Sequence, residues 1–301
     1  MTEDLSRTEP DTAGAGLRLY EREGAYIPRV AAVHDLCGYG KCSLGVAIPV
    51  LSAAGCDVCP VPTGLFSSHT AFPGWYMHDT TDILRDYLNA WRGIDVQIDA
   101  VYSGFLGAPE QVASIQRLYR EHPGALRVVD PVMGDGGKIY PTYTPELCEA
   151  MKGLVEGADI LTPNLTEAAI LTGIEYRGQD VDEAFVEENV EALLAMGAKT
   201  VVVKGVDHGD GQIRNYVAGS GIEALEVSGE KLPFMLHGTG DLFCSSLLAA
   251  VMCGRSLGDA VDFAGRFVHD AMVVTQDQPE HAMRGVSFES RLGEVAKLLE
   301  A

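Results

Sequence analysis

Asp159-Ile160-Leu161-Thr162-Pro163-Asn164-Leu165-Thr166-Glu167-Ala168-Ala169-Ile170-Leu171 decides how the rest of the chain is read. It passes from a short apolar run, through a polar turn, into a helical stretch. A continuous apolar run suits a strand covered on both faces. The same unit recurs outward in both directions. Arg29–Val33, Asp57–Val61, Ala100–Ser103, Leu126–Asp130, Asp159–Thr162 and Thr200–Lys204 read as strands. Helices are expected between them, at Ser43–Ala54, Thr81–Trp91, Pro109–Glu121, Pro145–Val155, Leu165–Leu171 and Asp182–Met196. Alternation of this kind predicts βαβ units and an α/β fold, a mostly parallel sheet with helices on both faces.

After Lys204 the rhythm changes. Gln212–Ala218 and Ile222–Val227 read as a hairpin around Gly219-Ser220-Gly221. Three helices are expected near Leu242–Cys253, Leu257–Thr275 and Phe288–Leu299. No linker or repeat divides these parts, so residues 28–301 are expected to form a single domain. Residues 1–27 are expected to be a disordered tail. As far as Gly24 they are polar, without a secretory apolar region, and expected to be dispensable.

The net charge of −21 argues against nucleic acid or an anionic membrane as partner, and no basic tract offsets it. An anionic substrate would need local positive potential or a metal ion. No apolar run approaches a membrane span. The seven cysteines are an odd, scattered set. Cys56 and Cys59 form a C-x-x-C with no second pair at zinc-finger spacing, so free thiols in a reducing cytoplasm are expected.

Polar residues gather at the expected strand ends: His34 and Asp35, Ser67 to Thr70, Ser103 and Gly104, Asp130, Thr162 to Asn164, and Lys204. Ligands of open parallel sheets bind beyond the carboxyl ends of the strands, so one site built from these loops is expected. His237-Gly238-Thr239-Gly240-Asp241 runs straight into an apolar, small-residue helix. Such a turn aims backbone N–H groups at one spot, where the helix N-terminus adds positive charge suited to a phosphoryl group. Asp241 is placed to take a proton from a neighbouring hydroxyl, although Asp is also favoured there for capping alone. Asp130-Pro131 and Asn164 with Glu167 offer hard oxygen ligands for Mg²⁺, directly or through water. They also read as a turn and a capping box. Lys204 reads either as a cation beside ATP phosphates or as a lysine snorkelling to water. Gly38-Tyr39-Gly40-Lys41-Cys42-Ser43 lacks P-loop spacing, and its two glycines are expected to let the backbone approach a small substrate. His69 is expected to donate a hydrogen bond rather than to act as base.

The ordered set Asp130-Pro-Val-Met-Gly-Asp135, Thr162-Pro-Asn-x-x-Glu167, Val202-Val203-Lys204 and Gly238-Thr-Gly-Asp241 resembles the ribokinase-like superfamily. Phe66-Ser67-Ser68-His69-Thr70, Ser103-Gly104-Phe105-Leu106-Gly107 and the segment His34–Leu44 resemble its pyridoxal (vitamin B6) kinase branch, over nearly the whole chain from Pro28. The resemblance implies a three-layer fold and ATP-dependent phosphorylation of the 5′-hydroxymethyl group of pyridoxal, pyridoxine or pyridoxamine. It implies Asp241 as general base and Gly238, Thr239 and Gly240 as the anion hole. Asp130, Thr162, Asn164, Glu167 and Lys204 would serve ATP, with Asp130 and Glu167 also serving its Mg²⁺. Asp35, Gly38, His69, Thr70, Ala71 and Phe105 would surround the vitamer ring. A cytoplasmic homodimer, helped by K⁺, is also implied. The better-known members carry Ser in place of Asp35 and Tyr in place of Phe105, so vitamer preference does not carry over. Hydroxymethylpyrimidine kinase is the nearest alternative, and a non-catalytic vitamer-binding regulatory protein is the alternative of another class.

Overall fold

The computed structural model of the chain describes residues 16–178, 181–219 and 222–300. Strands are β1 Arg29–Cys37, β2 Asp57–Phe66, β3 Met77–Asp79, β4 Ala100–Ser103, β5 Leu126–Val129, β6 Gly134–Asp135, β7 Lys138–Ile139, β8 Ile160–Leu161, β9 Thr200–Val206, β10 Gln212–Gly219 and β11 Ile222–Glu230. Helices are α1 Leu44–Ala53, α2 Thr81–Gly93, α3 Pro109–Glu121, α4 Pro145–Met151, α5 Leu165–Thr172, α6 Glu183–Ala195, α7 Thr239–Met252, α8 Leu257–Thr275, α9 His281–Arg284 and α10 Leu292–Ala296. Nine strands form one sheet in the order β11-β10-β9-β8-β5-β4-β1-β2-β3. Its six central members, from β9 to β2, run parallel; β3 pairs antiparallel with β2, β10 with β9 and β11 with β10.

Strand periodicity divides the core into two layers. Ala31, Val33, Val101, Val129, Leu161 and Val203 face α2 to α6. Val30, Ala32, Tyr102, Val128, Ile160 and Val202 face α1, α7, α8 and α10. Both faces are covered, which is why the strands read as unbroken apolar runs. Each fully buried aliphatic side chain contributes roughly 1.5–3 kcal/mol.

Several departures from the expected elements position the site. β1 runs four residues further than expected, with a register shift between His34 and Leu36. Asp35 therefore sits on a bulge inside the strand, a device that re-aims a side chain. α7 starts at Thr239 rather than Leu242, with Gly238 as its N-cap at φ +81°. A small hairpin, β6–β7, turns on Gly136 and Gly137, both at positive φ, and folds over the start of α5. Residues 288–299 form short 3₁₀ turns around α10 rather than one helix, because i→i+3 bonds tighten both ends. Ser220 and Gly221 of the expected hairpin turn lie outside the described residues.

The expectation of a free tail needs correction from residue 16 onward. Arg22 donates to the carbonyls of Ala54 and Gly55, each at 2.9 Å, satisfying the open end of α1. The Leu17 carbonyl accepts from Leu257 N–H at 2.8 Å, and Leu19 and Tyr20 pack on the α1–α7–α8 layer. Residues 1–15 lie outside the described residues. No helix among the described residues is long and apolar enough to cross a membrane.

Candidate active site

The site forms where α7 meets the carboxyl ends of β1, β5, β8 and β9. Thr239, Gly240 and Asp241 make the first turn of α7, so their N–H groups have no carbonyl four residues back within the helix. Gly238 is required by its left-handed backbone and by space: a β-carbon there would lie 2.1 Å from the Lys41 carbonyl oxygen. Gly240 faces Lys204, whose Nζ would stand 3.5 Å from any β-carbon at that position. Thr239 Oγ1 donates back to Leu236 O at 3.3 Å and closes the turn.

Lys204, on β9, donates to Asp130 Oδ1 at 2.5 Å. Both residues are buried. Burial pushes the Asp130 carboxyl up, opposed by the charge and hydrogen bond of Lys204, while the neighbouring carboxylates hold the Lys204 ammonium firmly charged. Asp130 Oδ2 is buried with no partner among the described residues. Thr162, at the end of β8, lies between Asp130 and the thiol of Cys244, to which it donates at 3.3 Å.

Asn164 and Glu167 form a complete capping box on α5. Glu167 Oε2 accepts from Asn164 N–H at 2.8 Å and Oε1 from Met133 N–H at 3.3 Å. Both carboxylate oxygens are thus engaged, and Glu167 is 2% exposed. Burial pushes its carboxyl up to about 8 against the pull of Lys204. Asn164 caps through Oδ1 and donates to Gly134 O at 2.9 Å, tying the β6–β7 hairpin to the site. The capping reading therefore holds, and Glu167 acts on its neighbours chiefly as a buried acid.

Asp241 and Asp35 converge on Ser43. The Ser43 backbone N–H faces the Asp241 carboxylate, and its hydroxyl faces Asp35. Burial pushes Asp241 up to about 7, aided by the charges of Asp130 and Asp35. Burial likewise pushes Asp35 up to about 6. Ser43 caps α1 at φ 52°, ψ −128°, a left-handed conformation unusual for a residue with a β-carbon. Its bridging position leaves no mark in the sequence.

Phe105 is buried in a row of aromatic rings. Its ring centre lies 5.4 Å from Phe66 and 5.5 Å from Tyr143, and Phe66 lies 5.8 Å from Trp75. Tyr143 OH accepts from Leu106 N–H and fixes the loop after β4. His34, one residue before Asp35, is fully buried edge-on to Tyr102, with neither ring nitrogen partnered among the described residues. Burial drops it to about 3, so it stays neutral. A β-carbon at Gly104 would strike its ring at 2.1 Å, which explains that glycine.

His69 has its two ring nitrogens committed. Nδ1 accepts from Ala71 N–H at 3.2 Å, so Nε2 carries the hydrogen and bonds Met283 O. The ring pins the Ser67–Phe72 segment to α9 instead of presenting a donor to a ligand. Thr70 is exposed and Ala71 half-buried beside it. Gly38 and Gly40 serve internal contacts: Gly38 N–H donates to Phe66 O at 2.8 Å, and a β-carbon at Gly40 would strike the His69 ring. The expected backbone approach is thus to β2 and His69. Lys41 closes the same side through Glu289 and Ser287.

Comparison with known proteins shows the family of this fold. The phosphomethylpyrimidine kinase family matches residues 48–286. A pyridoxine/pyridoxal/pyridoxamine kinase of Bordetella avium is 33% identical over 265 residues, covering 82% of this chain and 85% of that protein. The chain belongs to the vitamin B6 kinases of the ribokinase-like superfamily. A Bacteroides thetaiotaomicron protein, provisionally named a phosphomethylpyrimidine kinase and crystallised with pyridoxal, superposes on this kinase fold with TM-score 0.85. It is 34% identical, over 90% of this chain and 96% of its own. Pyridoxal kinase of Lactobacillus plantarum gives TM-score 0.84 at 28% identity, over 91% and 99%. Both carry the same three-layer architecture.

Proposed function

We propose that the chain transfers the γ-phosphoryl group of ATP to the 5′-hydroxymethyl group of B6 vitamers, with Mg²⁺ and aided by K⁺, as a cytoplasmic homodimer. The observation that carries the reading is the first turn of α7, where the helix-start amides, the Lys204 ammonium beside Gly240 and the Asp241 carboxyl meet. Phosphoryl transfer needs alignment and charge stabilisation more than covalent chemistry. The amides of residues 239–241 and Lys204 stabilise charge on the transferring group. Asp241, poised near neutrality, takes the hydroxyl proton as the new P–O bond forms. The aromatic row of Phe66, Phe105 and Tyr143 suits a flat ring, and Asp35 suits a polar substituent or ring nitrogen on it.

Among the described residues no group of three His, Cys, Asp or Glu side chains forms a metal cage. That fits Mg²⁺, which is usually held by water and nucleotide phosphates with one or two carboxylates. Asp130 has the spare oxygen, and Glu167 acts through water at most. Bound there, the ion would neutralise phosphate charge on the nucleotide.

Relatives bearing this activity by name, and one crystallised with pyridoxal, support the reading. The test is ADP release with pyridoxal, pyridoxine, pyridoxamine and hydroxymethylpyrimidine, with and without Mg²⁺ and K⁺. Turnover highest on a vitamer is expected. Preference for the pyrimidine would move the chain to thiamine-precursor phosphorylation, and absence of turnover on all four would favour a binding protein.

A further inference from the structure

Three segments far apart in the sequence meet at His69. Its own segment, Ser67–Phe72, leaves β2 directly after Phe66, whose ring belongs to the aromatic row. The His69 ring stands 4.9 Å, centre to centre, from the ring of His237, tilted by 39°. His237 is the residue before Gly238, the cap of α7. The contact therefore joins the aromatic side of the site to the turn that opens α7.

α9 and the residues after it close the joint into a triangle. Met283 O bonds His69 Nε2. A little further on, Val286 N–H donates to His237 O at 3.2 Å. Between them Gly285 sits at φ +87°, and a β-carbon there would lie 2.8 Å from His237 O, so glycine is what allows the approach. The His69 corner is pinned further. Its N–H donates to Tyr39 O at 3.1 Å, and its ring centre lies 4.7 Å from that of Phe72. Lys41 N–H donates to Arg284 O at 3.0 Å and holds α9 in place. Every side of the triangle is a direct contact, and its two ring corners lie on opposite sides of the site.

We propose that His237 is a positioning residue: its ring, seated on His69, locks the Ser67–Phe72 segment to the glycine turn, so that the phosphoryl group goes to the vitamer and not to water. This rests on the kinase reading and deepens it. Transfer demands that acceptor and phosphate be aligned, and a misplacement of about 1 Å costs roughly a hundredfold. A vitamer-side segment and a phosphate-side turn that shifted independently would lose that alignment and admit water as a competing acceptor. In the side reaction the water oxygen bonds to the γ-phosphorus as the bond from phosphorus to the ADP oxygen breaks. The water's proton passes to Asp241 and then to solvent, leaving ADP and inorganic phosphate. His237 acts on this choice through His69. Its backbone carbonyl fixes the turn, and its ring carries the position of the turn to the vitamer side.

The test uses the full chain as wild type, His237→Ala and His237→Phe. Alanine removes the ring and keeps the carbonyl that bonds Val286. Phenylalanine keeps a flat ring for His69 and removes the nitrogens. ADP release with Mg²⁺·ATP is measured without vitamer and with pyridoxal, beside the vitamer phosphate formed. The rate without vitamer, relative to the rate with it, should rise about fivefold or more in His237→Ala, the scale of a coupling between two sites. His237→Phe should return it close to wild type. Amide hydrogen exchange adds a readout independent of turnover. The amides of His69 and Phe72 should exchange faster in His237→Ala than in wild type, and not in His237→Phe. Unchanged exchange in His237→Ala overturns the joint itself. Faster exchange with an unchanged leak to water overturns its role in choosing the acceptor. An equal leak in the alanine and phenylalanine variants overturns the packing role and gives the effect to the imidazole nitrogens. Wild type without turnover on any vitamer would defeat the kinase reading, and exchange alone would then decide on the joint.

Discussion

Two pairs of carboxyl groups, Asp241 half-buried and the other three buried, lie close together in this site and are treated differently by the fold. Asp130 and Glu167 face the ammonium of Lys204, which bonds Asp130 at 2.5 Å. Asp35 and Asp241 face Ser43, which offers one hydroxyl and one N–H but no charge. The cation bonded to Asp130 opposes the rise that burial imposes on its carboxyl, whereas Asp35 and Asp241 have no such bond among the described residues and their protons come and go near neutral pH. Glu167, which Lys204 reaches by charge alone, is still pushed up to about 8. The first pair, with its lysine, suits a metal ion and a cation facing phosphate oxygens; the second suits accepting a proton and reading a polar ring. The division of labour thus follows from where the single lysine sits.

The largest effect expected from this contrast is at Asp241. Asp241→Asn keeps the shape and removes the acceptor, so kcat should fall by roughly 10²–10⁴ while ATP binding persists. Its stability should move the other way. The Asp241 carboxyl is raised from 3.8 to about 7 in the fold, so the native state binds its proton more tightly than the unfolded chain does. Its contribution is therefore full below about pH 4, declines as pH rises through 7, and stays lost above. The asparagine variant should gain up to about 1–3 kcal/mol over wild type at pH 8 and little at pH 4. Urea unfolding at the two pH values reads this. Wild-type turnover, or a stability gain equal at both pH values, would break the contrast at its unpaired side.

On the paired side, Lys204→Met should destabilise. It leaves Asp130 buried without its cation, a change that typically costs about 3–5 kcal/mol. Adding Asp130→Asn should recover most of that loss, whereas Asp35→Asn alone should be neutral or stabilising. Denaturant midpoints of the four proteins at pH 8 check the pattern. A Lys204→Met variant as stable as wild type would mean the two pairs differ only in name.

Much of this is legible in the amino-acid sequence. Alternating apolar runs gave the parallel sheet because strands covered on both faces carry no polar side. Strand-end polar residues pointed to one site because open sheets place loops at one edge. The glycine turn at Gly238 was legible as a tight entry into α7, where the left-handed backbone and the contact with Lys41 leave room only for glycine. What escaped was set by long-range packing. The bulge at Asp35 depends on pairing with β2, and β3 is three residues long, too short for a period to show. His69 looked available as a donor because its acceptor, Met283 O, lies more than two hundred residues away. The order of residues 16–27 depends on Arg22 finding the end of α1, a partner that local polarity cannot disclose.

The finest distinction lies at Ser43, where the two carboxylates are joined. Its backbone sits at φ 52°, ψ −128°, where glycine is at ease and a β-carbon is strained. Ser43→Ala and Ser43→Gly remove the same hydroxyl, so any loss at Asp35 should be common to both. Only the glycine releases the strain, so it should be the more stable of the two by about 1–3 kcal/mol. Both keep the N–H that faces Asp241, so both should keep the pH midpoint of kcat. Because the hydroxyl faces Asp35 while the backbone N–H faces Asp241, KM for the vitamer should rise in both while kcat changes less. Thermal unfolding with steady-state kinetics on the three proteins separates these readings. Equal stability of the alanine and glycine variants would show that the backbone stores no strain. A fall in kcat with KM unchanged would transfer the hydroxyl from the ring side to the base, and the two carboxylates would then act as one unit.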